Sequence, residues 1–146
     1  METTDSVQRL VRLDIPAKPE YVVLGRLALA ALLREGPFTG DAVADLKLAL
    51  SEACSNSIRH AYGDDAGQVH LSFACNDDRA VLVVRDEGVG FADEDEEASS
   101  FVPGSSTSLP EGGMGFSIIR AVVDEFVLEH PAEGGTLLTL TKLSDA

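Results

Sequence analysis

The stretch from Leu48 to His60 constrains this chain most. It holds neither Pro nor Gly, and Val43, Leu46, Leu50, Ala53 and Ser57 step by three or four into one stripe of small or apolar residues. That is the core-facing pattern of an amphipathic helix. Glu52 and Asn56 stand one turn apart on a shared face that, at about 100° per residue, points away from the stripe. Leu48 and Ala49 lie near the same side, so this face is mixed. A carboxylate can orient or deprotonate a nucleophile, and an amide oxygen is a hard ligand for Mg²⁺. A pocket wall and a plain solvated helix face both fit these residues taken alone.

Around this helix the periodicities alternate between two and three to four. Val11, Leu13 and Ile15 alternate with Arg12 and Asp14 as in a half-buried strand, which Pro16 and Pro19 end. From Glu20 to Arg34 the residues Tyr21, Leu24, Leu27, Ala28, Ala31 and Leu32 recur at helical spacing, flanked by Arg26 and Arg34. Gly36-Pro37 breaks that helix, and Asp41 is the expected N-cap of the next one. Tyr62–Asp65 is turn chemistry. Val69, Leu71, Phe73 and Cys75 then alternate, Ala80–Arg85 is nearly all apolar, and Asn76-Asp77-Asp78 joins the two as a hairpin loop. Met114–Val123 reads as helix, and Phe126–His130 and Thr136–Leu143 read as two closing strands. Hairpin-linked strands with intervening helices predict an α+β two-layer sandwich, a mixed, mostly antiparallel sheet with helices on one face, rather than a doubly wound parallel sheet.

With 25 acidic and 11 basic side chains the net charge is −14. A nucleic-acid partner needs Lys and Arg, so direct nucleic-acid binding is not expected, and a basic or mixed-charge protein fits better. The longest apolar run, Leu27–Leu33, is too short to cross a bilayer, and the acidic start is not a signal peptide; no membrane association and a cytoplasmic location are expected. At 146 residues the expectation is one domain, residues 1–146. Cys54 and Cys75 show neither metal spacing nor a disulfide framework and read as buried thiols.

Three glycine features accompany the helix. Asp86-x-Gly88-x-Gly90 leaves the apolar strand, placing a carboxylate at a strand end where glycines let the backbone approach a flat ligand. Gly112-Gly113-Met114-Gly115 opens a helix, whose free N–H groups attract phosphate. Gly134-Gly135-Thr136 enters the last strand and reads mainly as a turn. Between the first two lies an acidic run, Asp93–Glu97, followed by a Ser/Gly/Pro-rich segment without secondary-structure period. Residues from about 92 to 113 read as a mobile lid. Each motif alone is weak, and their order and spacing carry the signal.

In that order the chain resembles the ATP-binding superfamily of gyrase, histidine kinases and mismatch-repair ATPases, with its Bergerat fold. Within it the chain is most similar to the bacterial anti-sigma factors that are also serine-protein kinases. The resemblance covers nearly the whole chain and is closest in Ser51–Tyr62, Arg85–Gly90 and Gly113–Ile118. It implies ATP and Mg²⁺ as cofactors. Glu52 would be the catalytic carboxylate acting on the attacking hydroxyl or water, and Asn56 would hold Mg²⁺ against the phosphates. Asp86 would accept from the adenine amino group, with Gly88 and Gly90 admitting the ring. Gly113 and Gly115 would offer N–H groups to the phosphates, and Thr136 would support the adenine end. Arg26 matches a sigma-contacting arginine on the first helix, where a solvated charge is the other reading. The implied partners are a sigma factor and a small antagonist protein of the STAS type, with a homodimer also compatible.

One departure bears on turnover. From Glu87 to Ile119 there is no Lys or Arg, and Glu111 stands near a position where the family carries a basic residue. A carboxylate beside a γ-phosphate repels it, and this segment offers the transferring phosphoryl group no stabilising Lys or Arg. The residues therefore argue for ATP binding more directly than for fast phosphoryl transfer. Two alternatives stand beside the kinase: a binding module that uses ATP only to order its lid and hold a partner, and a histidine-kinase-type domain acting in trans. His60, His70 and His130 form no zinc pattern and read as structural. No Gly-x-Ser-x-Gly elbow or Gly-Lys-Ser/Thr phosphate loop occurs.

Overall fold

In a computed structural model, residues 8–59, 67–87 and 113–144 are described. The strands are β1 (Arg9–Pro16), β2 (Gln68–Cys75), β3 (Arg79–Asp86), β4 (Glu125–Glu129) and β5 (Thr136–Leu143). The helices are α1 (Val22–Leu33, entered through a 3₁₀ turn at Pro19–Tyr21), α2 (Gly40–Ser57) and α3 (Gly113–Val122). The strands form one sheet in the order β1-β2-β3-β5-β4, and all four neighbouring pairs run antiparallel. Ile15, Val69, Leu71, Phe73, Leu82, Val84, Leu138 and Leu140 line the face covered by the helices, and together with Leu29, Leu33, Leu46 and Leu50 they build one buried core. This is the expected two-layer α+β sandwich.

The β2–β3 hairpin follows from its loop chemistry. Asn76 Oδ1 accepts from the backbone N–H groups of Asp78 at 2.7 Å and Arg79 at 3.0 Å, an Asx turn that reverses the chain at the expected place.

Two local expectations need correction. Thr39, not Asp41, caps α2: it is extended, and its Oγ1 accepts from the Ala42 N–H at 3.1 Å. Asp41 lies inside the first turn, where its charge still complements the helix dipole. The second correction concerns α1. Its core face is Val22, Gly25, Leu29 and Leu33, whereas Tyr21, Leu24, Leu27 and Ala31 of the expected stripe are exposed. The helix is apolar nearly all round, so periodicity could not select a face. At Gly25, on the buried face, a Cβ would stand 2.8 Å from Leu71 Cδ1, so a larger residue there would require the Leu71 side chain to shift.

Both cysteines are free and buried, as expected. The Tyr62–Asp65 turn, His60, Gly88, Gly90, Asp93–Glu97, Glu111 and all of the lid except Gly113 lie outside the described residues. No described helix is long and apolar enough to cross a membrane.

Candidate nucleotide site

β3 alternates inward and outward, and Asp86, two residues beyond Val84, falls on the inward side beneath the helices. It is only 1% exposed. In the sheet register Asp86 lies directly opposite Thr136, the first residue of β5. Thr136 donates its backbone N–H to Asp86 Oδ1 at 3.2 Å and its hydroxyl to Asp86 Oδ2. A buried carboxylate is costly unless donors satisfy it. Two oxygens offer about four lone-pair sites, so after both Thr136 bonds this carboxylate still accepts from a further donor such as an exocyclic amine.

Gly135 makes this pairing possible, a role that its reading as a turn residue missed. Its φ is +82°, and an added Cβ would lie 2.1 Å from the carbonyl oxygen of Asp86. Both the left-handed backbone and the missing side chain are required for β5 to begin against the end of β3. The sequence signal was the Gly-Gly-Thr triplet, but the strand that it meets is set by the sheet order.

The organising helix α2 packs over β3 and β5 and against α3. Its stripe behaves as expected, with Leu46, Leu50 and Ala53 fully buried. Burial extends further round, to Ala49, Cys54 and Asn56, because a second helix covers that side. Asn56 is 6% exposed, and its Oδ1 accepts from Arg59 Nη2 at 2.7 Å. Its Nδ2 is buried and has no hydrogen-bond partner among the described residues. Glu52, one turn earlier, is half-buried. Gly113 and Gly115 lie in the first turn of α3, the end that carries free N–H groups. The other end of α3 is tied down, with Lys142 Nζ donating to the Val122 carbonyl at 2.8 Å.

The fold thus brings Asp86 and Thr136 into contact and sets the helix bearing Glu52 and Asn56 across the strands that carry them. Arg26 belongs elsewhere: α1 rests on β1 and β2, and Arg26 faces outward. These residues fit a nucleotide with its metal. Asn56 Nδ2 is a buried, unmatched donor suited to a phosphate oxygen, its Oδ1 would serve Mg²⁺ only in exchange for Arg59, and Asp86 retains acceptor capacity. Among the described residues no group of three His, Cys, Asp or Glu could hold a metal; Asn56 Oδ1 would be one hard ligand for Mg²⁺, whose other positions phosphate and water would fill.

His70 departs from a simply satisfied histidine. Its Nδ1 lies 2.7 Å from Asp14 Oδ1, while its Nε2 faces Glu87 Oε2 at 3.3 Å without meeting hydrogen-bond geometry.

Comparison with known proteins agrees with this geometry. Residues 15–142 match the model of the histidine kinase-like ATPase domain. The chain is 36% identical over 132 residues to the serine-protein kinase RsbW of Bacillus cereus (strain AH187), covering 88% of this chain and 81% of that protein. With the serine-protein kinase RsbW of Bacillus subtilis (strain 168) the identity is 33% over 136 residues, 90% of this chain and 84% of the relative. Among solved structures, the mycobacterial sensor histidine kinase MprB superposes with a TM-score of 0.51 at 19% identity, covering 92% of this chain and 98% of that one, a likeness of fold.

Proposed function

The chain belongs to the histidine kinase-like ATPase domain family, and we propose that within it the protein is an ATP-binding anti-sigma factor that sequesters a sigma factor and phosphorylates a serine of an anti-sigma factor antagonist. The observation that carries the reading is the buried Asp86 carboxylate, held by Thr136 with acceptor capacity to spare, in a chain similar over most of its length to named serine-protein kinases.

In this reading Asp86 accepts from the adenine amino group while Thr136 fixes the carboxylate. Asn56 would hold Mg²⁺ through Oδ1, and the first turn of α3, at Gly113 and Gly115, would offer N–H groups to the phosphates. ATP, when bound, would supply the phosphoryl group and leave as ADP, and Mg²⁺ would offset the phosphate charge. Glu52 orients the substrate serine and takes its proton. The family resemblance assigns Gly88 and Gly90 to admitting the adenine ring.

The exposed face of α1 supports the sigma-binding half. Val23, Leu24 and Leu27 surround Arg26 with apolar surface, Leu27 being 62% exposed. An arginine set among exposed apolar side chains is the composition of an interface centre. The antagonist is expected to be a small STAS-type protein.

The test is incubation of the full chain with Mg²⁺, radiolabelled ATP and candidate antagonists. Label on an antagonist serine, lost with Glu52→Ala, is the expected result. A second reading, an ATP-dependent binding module, is favoured by the absence of Lys and Arg from Glu87 to Ile119. Sigma binding in ATP with no serine labelling would select it.

A further inference from the structure

The end of α2 carries a feature that the family reading does not use. The Ile58 N–H bonds to the carbonyls of both Cys54 and Ser55, and the helix widens into a π turn at residues 58–59. Arg59, an exposed side chain three residues after Asn56, has its guanidinium on Asn56 Oδ1 at 2.7 Å. The amide is buried, and of its two polar atoms only the oxygen is engaged, by a cation. This oxygen is the atom that the proposed function assigns to Mg²⁺.

A guanidinium and a divalent cation on the same buried oxygen compete, because each repels the other at that distance. Mg²⁺ binds at about 2.0–2.1 Å, and a guanidinium hydrogen-bonded to the same atom would be repelled by it. Asn56 is enclosed and has little freedom to turn away. Arg59 is exposed on a long flexible stem, so exchange requires only that it swing out. We infer that Arg59 is a placeholder for the metal: its guanidinium occupies Asn56 Oδ1 until Mg²⁺ arrives with nucleotide and displaces it. The inference rests on Asn56 being the Mg²⁺ ligand. Its consequence is a threshold, because Mg²⁺ must break a charge-assisted hydrogen bond before it can bind. Arg59 is thereby a positioning residue that sets how much free Mg²⁺ the protein needs to load nucleotide.

The experiment is a Mg²⁺ titration of the full chain at fixed fluorescent ADP, comparing wild type, Arg59→Ala, Arg59→Lys and Asn56→Ala. Loss of one such hydrogen bond should lower the half-saturating Mg²⁺ about 3- to 10-fold in Arg59→Ala, with Arg59→Lys between it and wild type. Without nucleotide or metal, Arg59→Ala should also shift the side-chain amide resonances of Asn56. An unchanged or higher Mg²⁺ requirement in Arg59→Ala, alongside an impaired Asn56→Ala, would overturn the placeholder and leave the Asn56 assignment standing. An Asn56→Ala protein with the wild-type Mg²⁺ requirement would overturn the Asn56 assignment and the inference with it.

Discussion

Thr136 meets Asp86 with two donors at once, its backbone N–H on Oδ1 and its hydroxyl on Oδ2, across the β3–β5 register. The pair joins the end of one central strand to the start of another. Replacing Thr136 by Val keeps the shape and the backbone bond but leaves Asp86 Oδ2 without its donor. An unsatisfied buried polar group costs about 1–3 kcal/mol. Thr136→Val should therefore lower the melting temperature and weaken ATP binding in calorimetry. Asp86→Ala should remove detectable nucleotide binding, and equal affinity in wild type and Asp86→Ala would refute the pocket.

Gly135 is strained for any other residue. Gly135→Ala places a Cβ 2.1 Å from the Asp86 carbonyl oxygen at a φ of +82°. The left-handed backbone alone costs roughly 1–2 kcal/mol, before the contact is relieved. Thermal unfolding should show a loss of at least several degrees. Gly40→Ala, at a position with nothing within 4 Å of an added Cβ, is the control and should stay close to wild type.

Glu52 and Asn56 share a helix but should fail in different assays. Glu52→Ala should abolish phosphoryl transfer while leaving ATP and sigma binding nearly intact, because it acts on the attacking hydroxyl. Asn56→Ala should weaken Mg-ATP binding itself, since it removes a metal ligand. Parallel loss of nucleotide affinity in both variants would contradict the division of roles.

Burial pushes the Cys54 thiol up from 9.0 to about 12. The unfolded chain releases this proton near pH 9, whereas the folded chain retains it to about pH 12. The associated stability is thus fully present below pH 9 and is lost as the pH climbs toward 12. Across about pH 9 to 11, the melting temperature of Cys54→Ala should fall less steeply than that of wild type. Parallel slopes would show that the thiol does not contribute.

On α1, Arg26→Glu and Leu27→Asp should weaken sigma binding at least tenfold, as interface-centre residues do. Both side chains are exposed, so the melting temperature should hardly move. Retention of sigma binding by both variants would place the partner on another surface.

Much of the architecture was legible in the residues because its causes are local. The alternation of Val69–Cys75, the apolar run Ala80–Arg85 and the Asn76 turn specify a hairpin within a few residues of one another, and the hairpin forms there. The stripe on α2 also reads directly, since Leu46, Leu50 and Ala53 pack as their spacing requires. Where the cause is distant, the residues alone left the outcome open. The face that α1 buries, with Gly25 against Leu71, is set by packing on the sheet, and an almost wholly apolar helix carries no internal record of that choice. Gly135 and Thr136 read as a turn and a strand start until β5 is inserted between β3 and β4, which sets them against Asp86 fifty positions earlier. Arg59 and Asn56 are three apart and so neighbours on a helix, but the burial that leaves the Asn56 amide facing that guanidinium is set by the packing around α2. Periodicity and turn chemistry determined which elements form and in what order. Close packing of the sheet against the helices decided which faces meet and which polar atoms find partners.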